Sequence, residues 1–164
     1  MALLNYTTKI EAARTVGQIQ VILAQHGAKA ILMEYDNAGL ITALSFRIDT
    51  PHSNLGFRLP VHPEAVLRIL EKQKGAHYFA NKPQAVRVAW RIVKDWLEAQ
   101  LALLETEMVK MEEIFLPYLI IPGGQTLYDR MVETQFQLTQ GDDTPGNATS
   151  NKVGKIERSE QRRC

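Results

Sequence analysis

The hydrophobic pattern changes period twice along this chain. Leu4, Tyr6, Thr8 and Ile10 alternate with polar neighbours and predict a first strand. Val16, Ile19 and Leu23 then recur at steps of three and four, predicting a short helix that ends at Gly27. Thr15 with Gln18 gives a capping-box start for it, and Thr8 with Glu11 offers a competing earlier start. Three apolar runs follow, Ala28–Tyr35, Leu40–Asp49 and Leu55–Leu59, separated by the turn clusters Asp36–Gly39 and Thr50–Asn54. This is the pattern of antiparallel hairpins. Leu40, Leu44, Phe46 and Ile48 share one face with Leu55, Phe57 and Leu59, which turns Arg47 and Arg58 the other way. His62-Pro63-Glu64 opens a helix with proline in its first turn, and Val66, Ile69 and Leu70 face its core.

The strongest periodic signal begins at Asn81, with Pro83 in the first turn and Gln84 three residues on. Val86, Trp90, Val93, Leu97, Leu101 and Leu104 form one row, and Ala89, Ile92, Trp96, Ala99 and Leu103 flank it. Such an arc is too wide for one sheet to cover. A helix from Lys82 to Glu105 would be roughly 36 Å long, more than strands of this size span. Part of it is therefore expected to pack on another helix or on a second copy of the chain. Met108, Met111 and Phe115 extend the stripe to Pro117, and Tyr118–Tyr128 reads as a small hairpin around Pro122-Gly123-Gly124. The expected fold is α+β. It has a four-stranded, mainly antiparallel sheet, a short helix after strand 1, two later helices of which the second is long, and a small C-terminal hairpin. Residues 1–138 make a single domain, and 139–164, where apolar periodicity disappears, make a disordered tail.

Composition narrows the chemistry. The 164 residues are 45% apolar and 23% charged with a net charge of +1, enough for a packed core and without the strong basicity that marks a nucleic-acid binder by itself. Cys164 is the single cysteine, which excludes an internal disulfide and a sulfur-based zinc site and favours a reducing compartment. No apolar run reaches a membrane-spanning length, and the opening Met-Ala-Leu-Leu-Asn-Tyr lacks the character of a secretory signal. Cytoplasm is the expected location. His26, His52, His62 and His77 match no metal-binding spacing, Ser45 and Ser53 lie in no nucleophile elbow, and Gly123-Gly124 lacks the residues of a phosphate loop. No catalytic set, metal site or cofactor motif is expected.

Two constellations remain. Lys72, Lys74, His77, Tyr78, Phe79 and Lys82 lead into Arg87, Arg91 and Lys94, which share a helix face at steps of four and three. Phosphates on the cations and bases stacked on Tyr78 or Phe79 would make this a nucleic-acid surface. The second is the sheet face turned from the core, with Lys9, Arg47 and Arg58 beside Thr42 and Ser45, able to grip an anionic ligand.

The segment from Ala85 to Tyr118, with Phe-Arg-Leu-Pro at 57–60, Glu-Ile-Phe-Leu-Pro-Tyr at 113–118 and Gly-Gly-Gln-Thr-Leu-Tyr at 123–128, resembles a family of small proteins carried by bacteriophages and mobile elements. The resemblance covers roughly residues 5–132, and it implies a genomic setting but no catalytic residues. Within that setting the expectation is a non-enzymatic nucleic-acid-binding accessory protein using Tyr78, Phe79, Lys82, Arg87, Arg91 and Lys94. The alternatives are a homo-oligomer that sequesters an anionic small nucleotide through Lys9, Arg47 and Arg58, or an inhibitor that docks on a host protein through the long helix.

Overall fold

In a computed structural model, residues 2–50 and 53–137 are described. Helix α1 (Ala12–Gln25) precedes an antiparallel meander of β1 (Ala28–Tyr35), β2 (Ile41–Asp49) and β3 (Asn54–Arg58). Helices α2 (Pro63–Lys72) and α3 (Lys82–Glu105) follow, then the short helices α4 (Met111–Phe115) and α5 (Leu127–Glu133). The α+β class, the three runs of the meander and both bounds of the long helix agree with the hydrophobic pattern. The predicted tail, Cys164 and His52 lie outside the described residues.

Among the described residues the sheet has three strands, not four. The alternating stretch from Leu4 to Ile10 forms no strand because its backbone is claimed elsewhere. Asn5 sits in the left-handed region at φ 60°, and Thr8 N–H donates to the Asn5 carbonyl at 2.9 Å, closing a turn. The carbonyls of Tyr6 and Thr8 accept from Nε2 of Gln84, each at 2.9 Å. A buried glutamine on α3 thus replaces a neighbouring strand, and Leu4 is left 59% exposed. The helix starts after Glu11, between the two predicted starts: Thr8 stands four residues before its first residue, and Thr15 lies buried within its first turn rather than capping it.

The meander is pinned at its first turn. Asp36 Oδ1 accepts from the amides of Ala38 and Leu40, both at 2.9 Å, while its Oδ2 receives Lys82 Nζ at 2.8 Å. That last bond lowers the Asp36 pKa and raises that of Lys82, so the two shifts agree and tie the hairpin to the start of α3. In the ladder, Phe46 faces Phe57 and Ile31, and Leu44 faces Met33, which gathers the apolar side chains on the inner face. The outer face carries Ala30, Leu32 and Glu34 of β1, Ser45 and Arg47 of β2, and Gly56 and Arg58 of β3.

Helix α3 is the hub. Asn81 caps it by accepting from Gln84 N–H at 2.9 Å, and Pro83 stands in its first turn. Most of its wide apolar arc is covered within the chain, Ala99 and Leu103 near its C-terminal end remaining exposed: α1 and α2 pack along it, and Trp90, fully buried, donates from Nε1 to the carbonyl of Ile41 at 3.0 Å. Trp96 meets Phe115 of α4 and Tyr118 edge-on, with ring centroids 5.9 and 5.6 Å apart. Neighbouring helices, not a second copy, therefore account for the width of the stripe. Beyond Glu105 the stripe fails: Met108 is exposed, although Phe115 is fully buried among Phe46, Phe57 and Trp96. On α2, Val66 and Leu70 are buried as expected, but Ile69 is 47% exposed.

The hairpin expected around Pro122-Gly123-Gly124 exists in miniature. Ile121 N–H donates to Gln125 O at 3.0 Å, and Gly123 and Gly124 adopt φ of 105° and 83°, open to glycine without strain. Ile120 N–H reaches Gly56 O at 2.7 Å, so the turn leans on the free edge of β3. No helix of the described residues is long and apolar enough to cross a membrane.

Candidate functional site

The basic stripe of α3 is assembled as predicted and then neutralised. Lys82 is bonded to Asp36, and Arg87 donates to Glu11 Oε1 at 2.7 Å and to Gln84 Oε1 at 3.3 Å. Arg91 reaches Gln18 Oε1 at 3.3 Å and stands 3.9 Å from Asp95. Lys94 is buried and bonded to Glu98 one turn on, a correction to its expected role on a phosphate. Four cations expected on phosphates each face a carboxylate: Asp36 and Glu11 are brought by the packing of the hairpin and α1 on α3, and Asp95 and Glu98 lie one turn on along α3. The aromatics differ from each other. Phe79 packs edge-on against Tyr6 at 5.7 Å, whereas Tyr78 is 90% exposed.

The second constellation is split. Lys9 lies in the irregular segment held on the first turn of α3, so it does not join Arg47 and Arg58 on the sheet. Arg47 and Arg58 do share the outer face but line different hollows. Arg47 borders a shallow one with Leu32, Gly56 and Ile120. Arg58 opens into a deeper cleft.

That cleft, about 240 Å³, lies where β3 ends and is walled by Arg58, Leu59, Pro60, His62, Tyr118, Thr126, Tyr128 and Asp129. Each wall has a local cause. Leu59 N–H still bonds to Leu44 O at 2.9 Å, which carries the chain past the end of β3 and sets Arg58 at the rim. Pro60 and Pro63 bracket His62, the exposed residue before α2. Tyr118 is fixed from behind by Trp96. Leu127 N–H donates to Leu119 O at 2.8 Å, which folds Thr126 and Tyr128 back over the opening.

Thr126 and Asp129 close a capping box. Thr126 donates through N–H and Oγ1 to Asp129 Oδ2 at 3.0 and 2.7 Å, and Asp129 N–H donates to Thr126 Oγ1 at 3.2 Å. These bonds, with smaller help from the charges of Arg58 and His62, hold the Asp129 pKa below the usual carboxylate value. Arg58 gives one N–H to Glu34 Oε1 at 3.0 Å, yet its Nε is buried without a partner. A guanidinium N–H withdrawn from water and left unbonded is costly, and a turn of the Arg58 side chain, which is 42% exposed, would offer it to an acceptor in the cleft. Hydroxyls of Tyr118 and Tyr128 and the imidazole of His62 supply further polar contacts around an opening wide enough for one ring or one phosphate group.

Of these residues the sequence singled out Arg58. The others were not foreseen: Leu59, Pro60 and His62, Tyr118, and Thr126, Tyr128 and Asp129 come from three stretches that are distant in sequence and converge here. Thr126-x-x-Asp129 is also a capping signature that the hairpin reading passed over. Among the described residues, no group of three or more His, Cys, Asp or Glu is placed to hold a metal ion. No known family model, curated protein or solved structure matches the chain.

Proposed function

We propose that this protein is a binding module for a small oxyanion-bearing molecule, a nucleotide whose phosphate enters the Arg58 cleft being the best fit, bound without chemical change. The observation that carries this reading is the unpartnered, buried Nε of Arg58 at a cleft that also gathers His62, Tyr118 and Tyr128. Arginine presents its donors in a fixed fork that suits phosphate or carboxylate, and tyrosine rings offer faces to a base. In the phage or mobile-element setting that the sequence resemblance suggests, such a module would sequester a small nucleotide.

Calorimetric titration with nucleoside monophosphates and with inorganic phosphate tests this. Binding of the nucleotide should fall about 10- to 100-fold in Arg58→Ala, the range for a charge-assisted hydrogen bond. Binding that Arg58→Ala leaves unchanged, or none in the wild type, would refute the assignment. A second reading, nucleic-acid binding, keeps one specific support in Tyr78, exposed on the 3-10 turn His77–Phe79 that follows Lys72 and Lys74. Anisotropy of labelled oligonucleotides at two salt concentrations, with Tyr78→Ala, separates it from the first.

A further inference from the structure

Strand β1 is an edge of the sheet, and no described segment pairs with its free side. Such an edge presents a row of unbonded N–H and C=O groups that can template another strand. Two features select the partner. Register shifts fall between Ala28 and Ala30 and between Glu34 and Tyr35, so the regular ladder of β1 runs from Ala30 to Glu34, with Leu32 at its centre. Leu32 is also 62% exposed, unusual for an apolar residue in the middle of a strand.

We infer that β1 pairs antiparallel with β1 of a second copy of this chain about a two-fold axis through Leu32. Faces must be kept across the new ladder, so only registers that oppose residues of like parity are allowed; a slip by one would set the inner side chains against the outer ones. Centring on Leu32 satisfies this. It opposes Ile31 to Met33 of the second copy on the inner face, Leu32 to itself on the outer face, and Ala30 to Glu34.

Charge favours the same register. Beyond Ala30 on β2 stands Arg47, so Glu34 of the second copy would look across a small alanine at a guanidinium. The reach is realistic, because within one chain Glu34 already crosses β2 to meet Arg58 on β3 at 3.0 Å. Arg47 is loosely held at present, 3.8 Å from Asp49, and both members of that pair are about half-exposed. The two-fold axis makes every such contact twice, giving a continuous six-stranded sheet with the Arg58 clefts far apart on its two outer edges.

Sedimentation velocity over a concentration series should show a reversible dimer for the full chain, and Leu32→Lys should convert it to a monomer with unchanged circular dichroism. A cysteine pair gives a readout independent of affinity. In a Cys164→Ser background, Leu32→Cys should form a disulfide-linked dimer under mild oxidation, because opposed residues of an antiparallel pair are within bridging distance. Ala30→Cys should not, since two such cysteines would be four positions out of register. A wild type that stays monomeric overturns the inference and leaves the edge to a strand of another protein. A dimer that survives Leu32→Lys, or cross-links as well through residue 30 as through residue 32, overturns it too.

Discussion

Single side chains decide more in this molecule than their number suggests. Trp90 fills the centre of the core and bonds to Ile41, so Trp90→Ala should cost about 3–5 kcal/mol in urea unfolding, the range for a large buried side chain replaced by a methyl. Gln84 has the opposite character, a buried polar group whose amide holds two carbonyls of the N-terminal segment. Its neighbours Arg87 and Arg91 read in sequence as phosphate contacts, and the packing turns them into ties between α3 and α1. Arg87→Ala with Arg91→Ala is therefore expected to lower the melting temperature and to leave ligand binding at the Arg58 cleft unchanged. Thermal melts beside calorimetry read both. A scan of charge along α3 shows Asp95 one turn from Arg91 but cannot foresee Glu11 and Gln18, which come from elsewhere in the chain.

The elements were legible in proportion to how far local rules decide them. Helix α3 was bounded correctly by Asn81, Pro83 and its apolar rows, all local features. The first strand was misread because alternation over four pairs of residues does not say whether a partner strand exists, and here Asn5 and Gln84 remove the need for one. Gly17 sits inside α1 with nothing within 4 Å of the position a Cβ would take. Gly17→Ala should then stabilise the fold by roughly 0.5–1 kcal/mol, seen as a higher urea midpoint, by lowering the entropy of the unfolded chain. Helix α5 depends on the Thr126–Asp129 box. Since the folded-state pKa of Asp129 is lowered, its contribution is fully present above the ordinary carboxylate range and is lost as pH falls through the lowered value. Protection of the amides of residues 127–133 against exchange, corrected for the intrinsic rate at each pH, should fall on acidification in the wild type and should already be low at neutral pH in Asp129→Asn.

At the scale of the whole molecule, charge balance is more telling than charge. With Lys82, Arg87, Arg91 and Lys94 all on phosphates, log affinity for duplex DNA would fall against log salt with a slope of about −3.6. Their pairing with Asp36, Glu11, Asp95 and Glu98 predicts a much shallower slope, which the anisotropy titration measures directly. Helices α1 and α2 pack on α3 while α1 also meets β1 and β2, an arrangement that leaves the molecule two edges of different kinds. The β3 edge is occupied by the Ile120 turn and frames the cleft, while the β1 edge is open.

The sequence by itself determined the α+β class, the meander, the caps and length of the central helix, and Arg58 as a residue worth watching. Each of these follows from side-chain periodicity, turn chemistry or capping, which act over a few residues. Only the tertiary structure decided the number of strands, the neutralisation of the basic stripe and the gathering of His62, Tyr118, Thr126, Tyr128 and Asp129 around Arg58. Those depend on which distant groups meet, and burial and hydrogen-bond satisfaction choose such partners over the whole chain.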